Sequence, residues 1–445
     1  MFEPEHAGFD LMKPWAWLFA GILASATSWT FMHRILLPWE HYKNVERGPV
    51  KVQMGDLYPR WVGTRELLMH GLNPYGAEVS HQIQMGFYGH AIEQSYDKPP
   101  SEIIDEQRFA YPVYVVFLLA PTIHCDFARL QAWAPVLLAA FTAIGVWLWF
   151  AALRWRPPPW VIVTLVLFVL STPQIAQGLR LRQLGLIVAF LLALATWCVT
   201  RNRLFVAGVL LALATIKPQL VALCLVWFLI WSVGDWKKRW PLAGGFALAL
   251  GLLAGAGNIL VPRWDRYFLE GAEAYRNYFP LGTKSVVRMI LGDWLGGILS
   301  VLAVIVLLVY AWNRRRTAAE SPEFTQVLSL FFVAATLILP LLTPYNQVLL
   351  LLPLLMLVRD WRLLPWWDRM GFALFLSWPF VAWVALLAHP PQLDSLRGIP
   401  LLPSALLPLT PFLVLWMMYK RSQRAAPELL HPLAKMPGGM MKRQS

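Results

Sequence analysis

A single lysine interrupts a long apolar stretch. Lys217 is the only charged residue between Arg203 and Asp235. An ammonium near the centre of a membrane helix costs roughly 2.5–3.5 kcal/mol, unless it reaches water, a headgroup or a bound anion. Pro218 follows it, lacks an N–H and disfavours a helical residue before it. The pattern therefore predicts two short helices, 204–216 and 219–233, joined at a Lys217-Pro218-Gln219 tip. Arg180, Arg182 and Gln183 precede this tip by one hairpin. A guanidinium can fork onto two phosphate oxygens and an ammonium adds a point charge, so Arg180, Arg182 and Lys217 together can bind a phosphate. The two arginines can equally snorkel to lipid headgroups.

A second group begins after the first apolar run. Asp56 there can act as a general base, taking a proton from an incoming hydroxyl, or it can be a solvated loop acid. Arg65 and Gly71-Leu72-Asn73-Pro74-Tyr75 follow, the latter also a turn signal. Tyr111-Pro112 opens a short apolar run, 111–123, with Pro suited to a first helical turn. In 263–293, Arg263, Arg266, Arg276, Lys284, Ser285 and Arg288 lie among Tyr267, Tyr275 and Tyr278. Aromatic rings stack on sugar faces and cations pair with phosphates, but an amphipathic interfacial helix has the same composition. Thr343-Pro344-Tyr345-Asn346-Gln347 is a polar break between apolar runs. The amides of Asn346 and Gln347 can hold sugar hydroxyls or cap the next helix. His81, His90 and Glu93 are spaced too loosely for a metal site, and no Walker, Rossmann or zincin motif occurs, so neither metal nor cofactor is expected.

Such residues need a scaffold, and composition says which. Of 445 residues, 58% are hydrophobic and only 14% charged, with a mean hydropathy of +0.52. Soluble domains carry about 25% charged residues, so the class is an all-α polytopic membrane protein. The net charge of +13 lies in short loops and the C-terminal tail, which fits a positive-inside topology and not a nucleic-acid partner. About twelve spans are predicted: 15–37, 130–152, 159–175, 184–200, 204–216, 219–233, 240–262, 294–312, 326–342, 345–358, 371–388 and 400–419. They put the loops carrying Arg154, Arg201, Arg239, Arg315, Arg359 and Arg421 on one side, expected to be cytoplasmic with both termini. Lys217 then lies on the outer side, as does a long first loop, 38–129, with interfacial helices. Run 111–123 is too short to span and is expected to be interfacial or re-entrant. Residues 1–425 form one membrane domain, and 426–445 a flexible basic tail. Helices of 204–216 and 219–233 rise roughly 20 Å against a ~30 Å hydrocarbon core, which recesses the tip below the outer surface.

Taken in order, these pieces resemble glycosyltransferase family 87, membrane enzymes of the GT-C fold that include polyprenol-phosphate-mannose-dependent mannosyltransferases. The resemblance runs from Asp56 and Gly71-Leu72-Asn73-Pro74-Tyr75 through Tyr111-Pro112 to Gln183, Gly208 and Lys217-Pro218-Gln219. Gly282-Thr283-Lys284-Ser285 looks like a variant of a later family element, while Arg182 stands where the family usually has Gly. The resemblance implies a GT-C-type helical bundle that transfers a mannose-like hexose from a polyprenyl-phosphate donor to a glycolipid or glycan acceptor, in contact with membrane lipids. It implies Asp56 as base, with the donor phosphate bound by Lys217, Arg180, Arg182, Gln183, Gln219, Lys284 and Ser285. Arg65, Asn73, Tyr75, Tyr111, Tyr345, Asn346 and Gln347 would meet sugar or acceptor. The competing expectation is a transporter or flippase for a lipid-linked saccharide.

Overall fold

The computed structural model describes residues 13–46, 54–92, 107–278, 284–340, 343–390 and 399–434. Glu93, Gly282, Thr283 and residues 435–445 lie outside them. Every regular element among the described residues is helical. Helix α1 (Pro14–Phe31) passes through a π-turn at Met32–Leu36 into α2 (Leu37–Glu46) without a break, so the first helix continues past 37. The expected long first loop contains α3 (Leu57–His70), α4 (Ala77–Tyr88) and the five-residue α5 (Val115–Leu119). These are not surface helices alone: Trp61, Val62, Val113, Val115 and Val116 are buried in the same apolar core as the later helices. Residues 111–116 are thus packed inside the protein while Phe117 and Leu118 are exposed, and the helical part of run 111–123 is one five-residue helix with a 3-10 turn.

Next come α6 (Phe127–Ala152), α7 (Pro159–Ser171), α8 (Pro173–Arg180), α9 (Gly185–Thr200), α10 (Leu204–Ala214), α11 (Pro218–Gly234) and α12 (Trp236–Leu260). Pro173 breaks the seventh helix from the eighth, which leave the junction 64° apart. Residues expected as an outer loop, 176–183, are therefore half helix. The stretch 263–293 likewise holds α13 (Trp264–Tyr278) and α14 (Val286–Leu291). The chain ends with α15 (Asp293–Arg314), α16 (Pro322–Ile338), a 3-10 segment Pro344–Leu350, α17 (Leu351–Arg359), α18 (Trp366–Ala388) and α19 (Thr410–Ala434). The tail expected to be flexible from 426 is helical to 434.

Among the described residues five helices are long and apolar enough to cross a membrane, or six if the bent pair α7–α8 is one span. Twelve is not reached by length and composition, because α9, α10, α11, α16 and the 344–359 segment are shorter apolar helices. Those short helices form the centre of the bundle. Trp227 and Phe228 of α11 interlock with Phe324 and Phe331 of α16, all fully buried, at ring separations of 5.6–6.3 Å. Helices α10 and α12 touch backbone to backbone. A Cβ on Gly208 would lie 2.1 Å from the Leu242 carbonyl, and one on Gly245 would lie 2.3 Å from the Phe205 carbonyl. Small residues at such crossings allow close packing where lipid supplies no hydrophobic drive. By contrast α12 and α15 expose rows of apolar side chains, including Leu248, Leu252, Val301, Ile305 and Val309, as lipid-facing helices do.

The basic turns are tied together. Arg359 donates to the Leu153 carbonyl, Arg154 pairs with Glu320, Arg239 donates to the carbonyls of Arg315 and Thr317, and Arg421 pairs with Asp360. These contacts gather the C-terminal ends of α6, α15 and α17, the start of α12 and the middle of α19 at one end of the bundle. Gln183, Lys217 and Asn346 stand at the opposite ends of α9, α11 and the 344–359 segment.

Candidate functional site

The Lys-Pro break forms as the sequence predicts. Helix α10 stops at Ala214, and Pro218 takes the first position of α11, where its missing N–H is harmless. Lys217 between them is buried at 5% exposure. Its ammonium donates to Gln183 Oε1 and to Asn346 Oδ1, each at 3.1 Å, and lies 4.6 Å from the centre of the Tyr345 ring. Two amide oxygens and a π face thus surround a charge that burial alone would disfavour.

Gln183 carries the link to the acid. Its Nε2 donates to the Asp56 carboxylate while its Oε1 accepts from Lys217, so one amide side chain joins the two charged groups. The backbone makes the same junction. Asp56 N donates to the Leu181 carbonyl at 2.9 Å, just after Gly55, which adopts a left-handed φ of +67°. A Cβ at Gly55 would stand 2.9 Å from that carbonyl, so the approach needs glycine. Arg182 is also left-handed, at φ +52°, which turns the chain after α8 and brings Gln183 inward. That conformation accounts physically for the glycine expected there.

The 3-10 segment supplies the third side. Asn346 Nδ2 donates to Thr343 Oγ1 at 2.6 Å, which fixes its oxygen toward Lys217. Gln347 is buried but faces elsewhere, accepting from Gln174 and donating to the Leu407 carbonyl. Tyr111 is buried nearby, and its carbonyl accepts from the Tyr75 hydroxyl at 2.6 Å. Burial holds the Tyr75 phenol well above its ordinary value, so it stays a donor.

The structure thus brings together Asp56, Gln183, Lys217, Tyr345 and Asn346, with Tyr111 and Tyr75 behind them. Other expected residues have different partners. Arg180 pairs with Glu40, and Arg182 donates to the carbonyls of Arg180 and Gln131. Gln219 is exposed. Lys284 pairs with Asp293 at 2.7 Å, and Ser285 caps α14 by accepting from Arg288 N. Asn73 closes its own turn by accepting from Tyr75 N, and Arg65 lies against the Trp61 ring. Arg60, which the sequence reading passes over, lies here instead. It donates to the Asp56 carbonyl at 2.8 Å and sits 4.8 Å from the centre of the Tyr111 ring. Its place four residues after Asp56, one turn along α3, is the signal that could have found it. Among the described residues no group of His, Cys, Asp and Glu side chains could hold a metal ion.

What this arrangement offers is a carboxylate able to take a proton, a fixed cation beside it, and amide and phenol groups able to bind hydroxyls. The sequence pattern of glycosyltransferase family 87 matches residues 109–340, which carry Tyr111, Gln183 and Lys217. No curated protein matches the chain.

Proposed function

The chain belongs to glycosyltransferase family 87, and from that premise we propose that this membrane glycosyltransferase moves a mannose-like hexose from a polyprenyl-phosphate donor to a glycolipid or glycan hydroxyl, with Asp56 as general base. The observation that carries this reading is the Asp56–Gln183–Lys217 bridge. It holds a proton acceptor and an anion partner at a fixed separation, as a displacement at an anomeric carbon between hydroxyl and phosphate requires. Asp56 takes the acceptor proton as the acceptor oxygen attacks. Lys217 stabilises the negative charge that grows on the departing phosphate. Arg180 and Arg182, shortly before Gln183, are further candidates for that anion, while Tyr345, Asn346, Tyr75 and Tyr111 would line the sugar and acceptor side.

A cation recessed among short helices suits the phosphate of a membrane-embedded lipid better than that of a soluble nucleotide sugar. We read the short apolar helices as crossings too, which gives about twelve passes, with the basic end cytoplasmic and the site at the outer leaflet. The test is to incubate the purified protein in nanodiscs with labelled polyprenyl-phosphate hexoses and a membrane lipid extract. Label moving to an extract component is the expected result. Label staying on polyprenyl phosphate with every hexose, while a nucleotide sugar serves instead, would refute the donor class.

A further inference from the structure

We propose that Arg60 is the second phosphate-binding cation of this site, directed at the leaving polyprenyl phosphate; the inference rests on the glycosyl-transfer reading above. Arg60 uses one Nη on the Asp56 carbonyl and lies over Tyr111. Its Nε is buried and has no hydrogen-bond partner among the described residues. A buried guanidinium N–H without an acceptor is costly, and such exceptions call for an explanation. A phosphoryl oxygen is an acceptor of the right chemistry, and guanidinium is the side chain that best matches it. Arg180 also has a buried Nε without a partner, but its charge is already paired with the Glu40 carboxylate, and Arg182 donates to two main-chain carbonyls.

Charge balance argues the same way. Arg60 bonds the Asp56 carbonyl and Gln183 joins the Asp56 carboxylate to the Lys217 ammonium, so three charged groups share the site. With Asp56 ionised the three sum to one positive charge, which matches the single negative charge of a phosphodiester donor. During transfer the acceptor oxygen bonds to the anomeric carbon. The anomeric C–O bond breaks with its electron pair going to the phosphate oxygen, and the acceptor's proton goes to Asp56. The protein groups then sum to two positive charges, facing a phosphate monoester that carries nearly two negative ones above its second pKa of about 6. Without Arg60 the balance fails on both sides of the reaction.

The test uses full-length protein in nanodiscs and three forms: wild type, Arg60→Gln and Arg60→Lys. Affinity for polyprenyl phosphate is measured beside turnover. Arg60→Gln should weaken polyprenyl phosphate binding by about tenfold or more, and should weaken binding of the singly charged donor less. Arg60→Lys keeps the charge but loses the guanidinium Nε and its stacking, and should bind polyprenyl phosphate more weakly than wild type by about threefold to fivefold, less than the loss in Arg60→Gln, a result that stands alone if the glutamine variant does not fold. If Arg60→Gln slows turnover yet binds polyprenyl phosphate like wild type, Arg60 only positions Asp56 and the proposal is overturned. Equally, a folded Arg60→Lys that loses as much affinity as expected of a neutral residue would contradict it. Failure of wild type to transfer sugar from any polyprenyl-phosphate hexose would instead strike the underlying reading.

Discussion

Gln183 can satisfy both of its charged neighbours in only one orientation, with N–H toward the Asp56 carboxylate and oxygen toward the Lys217 ammonium. Reversal would set donor against donor and acceptor against acceptor. Gln183→Glu replaces the donor with a second carboxylate against Asp56, whereas Gln183→Leu removes both bonds. Steady-state kinetics should show both variants slowed by about tenfold or more, with Glu worse than Leu; a glutamate variant as fast as wild type would mean the bridge is idle. Lys217 calls for a different signature. Lys217→Met removes the donor to the buried Gln183 and Asn346 amide oxygens, so stability should fall by no more than about 1–3 kcal/mol. Donor KM should rise about tenfold or more. A large loss of stability with unaltered KM would make Lys217 structural. At this scale the isolated lysine was conspicuous in the sequence as a charge in an apolar setting, whereas Asp56 stood out only through the family resemblance. The sequence did not reveal Arg60, because an arginine in an expected loop looks solvated until the loop is known to be helix α3 packed in the core.

The elements explain how residues more than 100 positions apart meet. Gly55 lets the start of α3 touch the turn after α8, and left-handed Arg182 makes that turn. Gly55→Ala combines a disfavoured φ with a close contact on the Leu181 carbonyl, and should cost about 1–3 kcal/mol. It should also displace Asp56, so calorimetry and turnover should fall together; an alanine variant as stable and active as wild type would show that this approach is not needed. The two-helix tip at Lys217 was legible because proline is strong local punctuation. The broken α7–α8 pair, with its own Pro173, carried the same signal but was hidden within a long apolar run. Helix α13 was legible only as an amphipathic alternative, since loops and interfacial helices share polar and aromatic residues. The 3-10 stretch Pro344–Leu350 has no distinctive composition, and only packing against α8 and α16 defines it.

Across the whole molecule, the basic turns meet at one end and the Asp56–Lys217 group lies at the other. Asp360 anchors the basic end, bonded by Arg359 at 2.7 and 2.9 Å and by Arg421 at 2.6 Å. Burial alone would raise its pKa, but the bonds and charges of Arg359 and then Arg421 outweigh it and hold the carboxyl below its ordinary 3.8. A carboxyl depressed in the fold adds stability above its ordinary value, and that contribution is lost as pH falls through the folded one. Asp360→Asn should therefore lower stability at neutral pH by about 3 kcal/mol, and should flatten the acid branch below pH 4. An unchanged acid branch would remove Asp360 from the staple. Single cysteines at Asn202 and His70 should be labelled from opposite faces of the membrane, since they flank opposite ends of the bundle. Labelling from one face would refute the proposed topology. Sequence charge bias made this polarity legible, but hydropathy overstated what length alone supports for the short central helices.

The central claim is that Asp56 does the proton chemistry while Lys217 holds the phosphate. It is tested most directly by one paired measurement on Asp56→Asn in nanodiscs: donor affinity and transfer rate with the same labelled polyprenyl-phosphate hexose. Asparagine keeps the shape and can still bond Gln183 but cannot accept the proton. Donor affinity should stay within about threefold of wild type while transfer falls by about a hundredfold or more. Transfer persisting within a few-fold of wild type would contradict the claim.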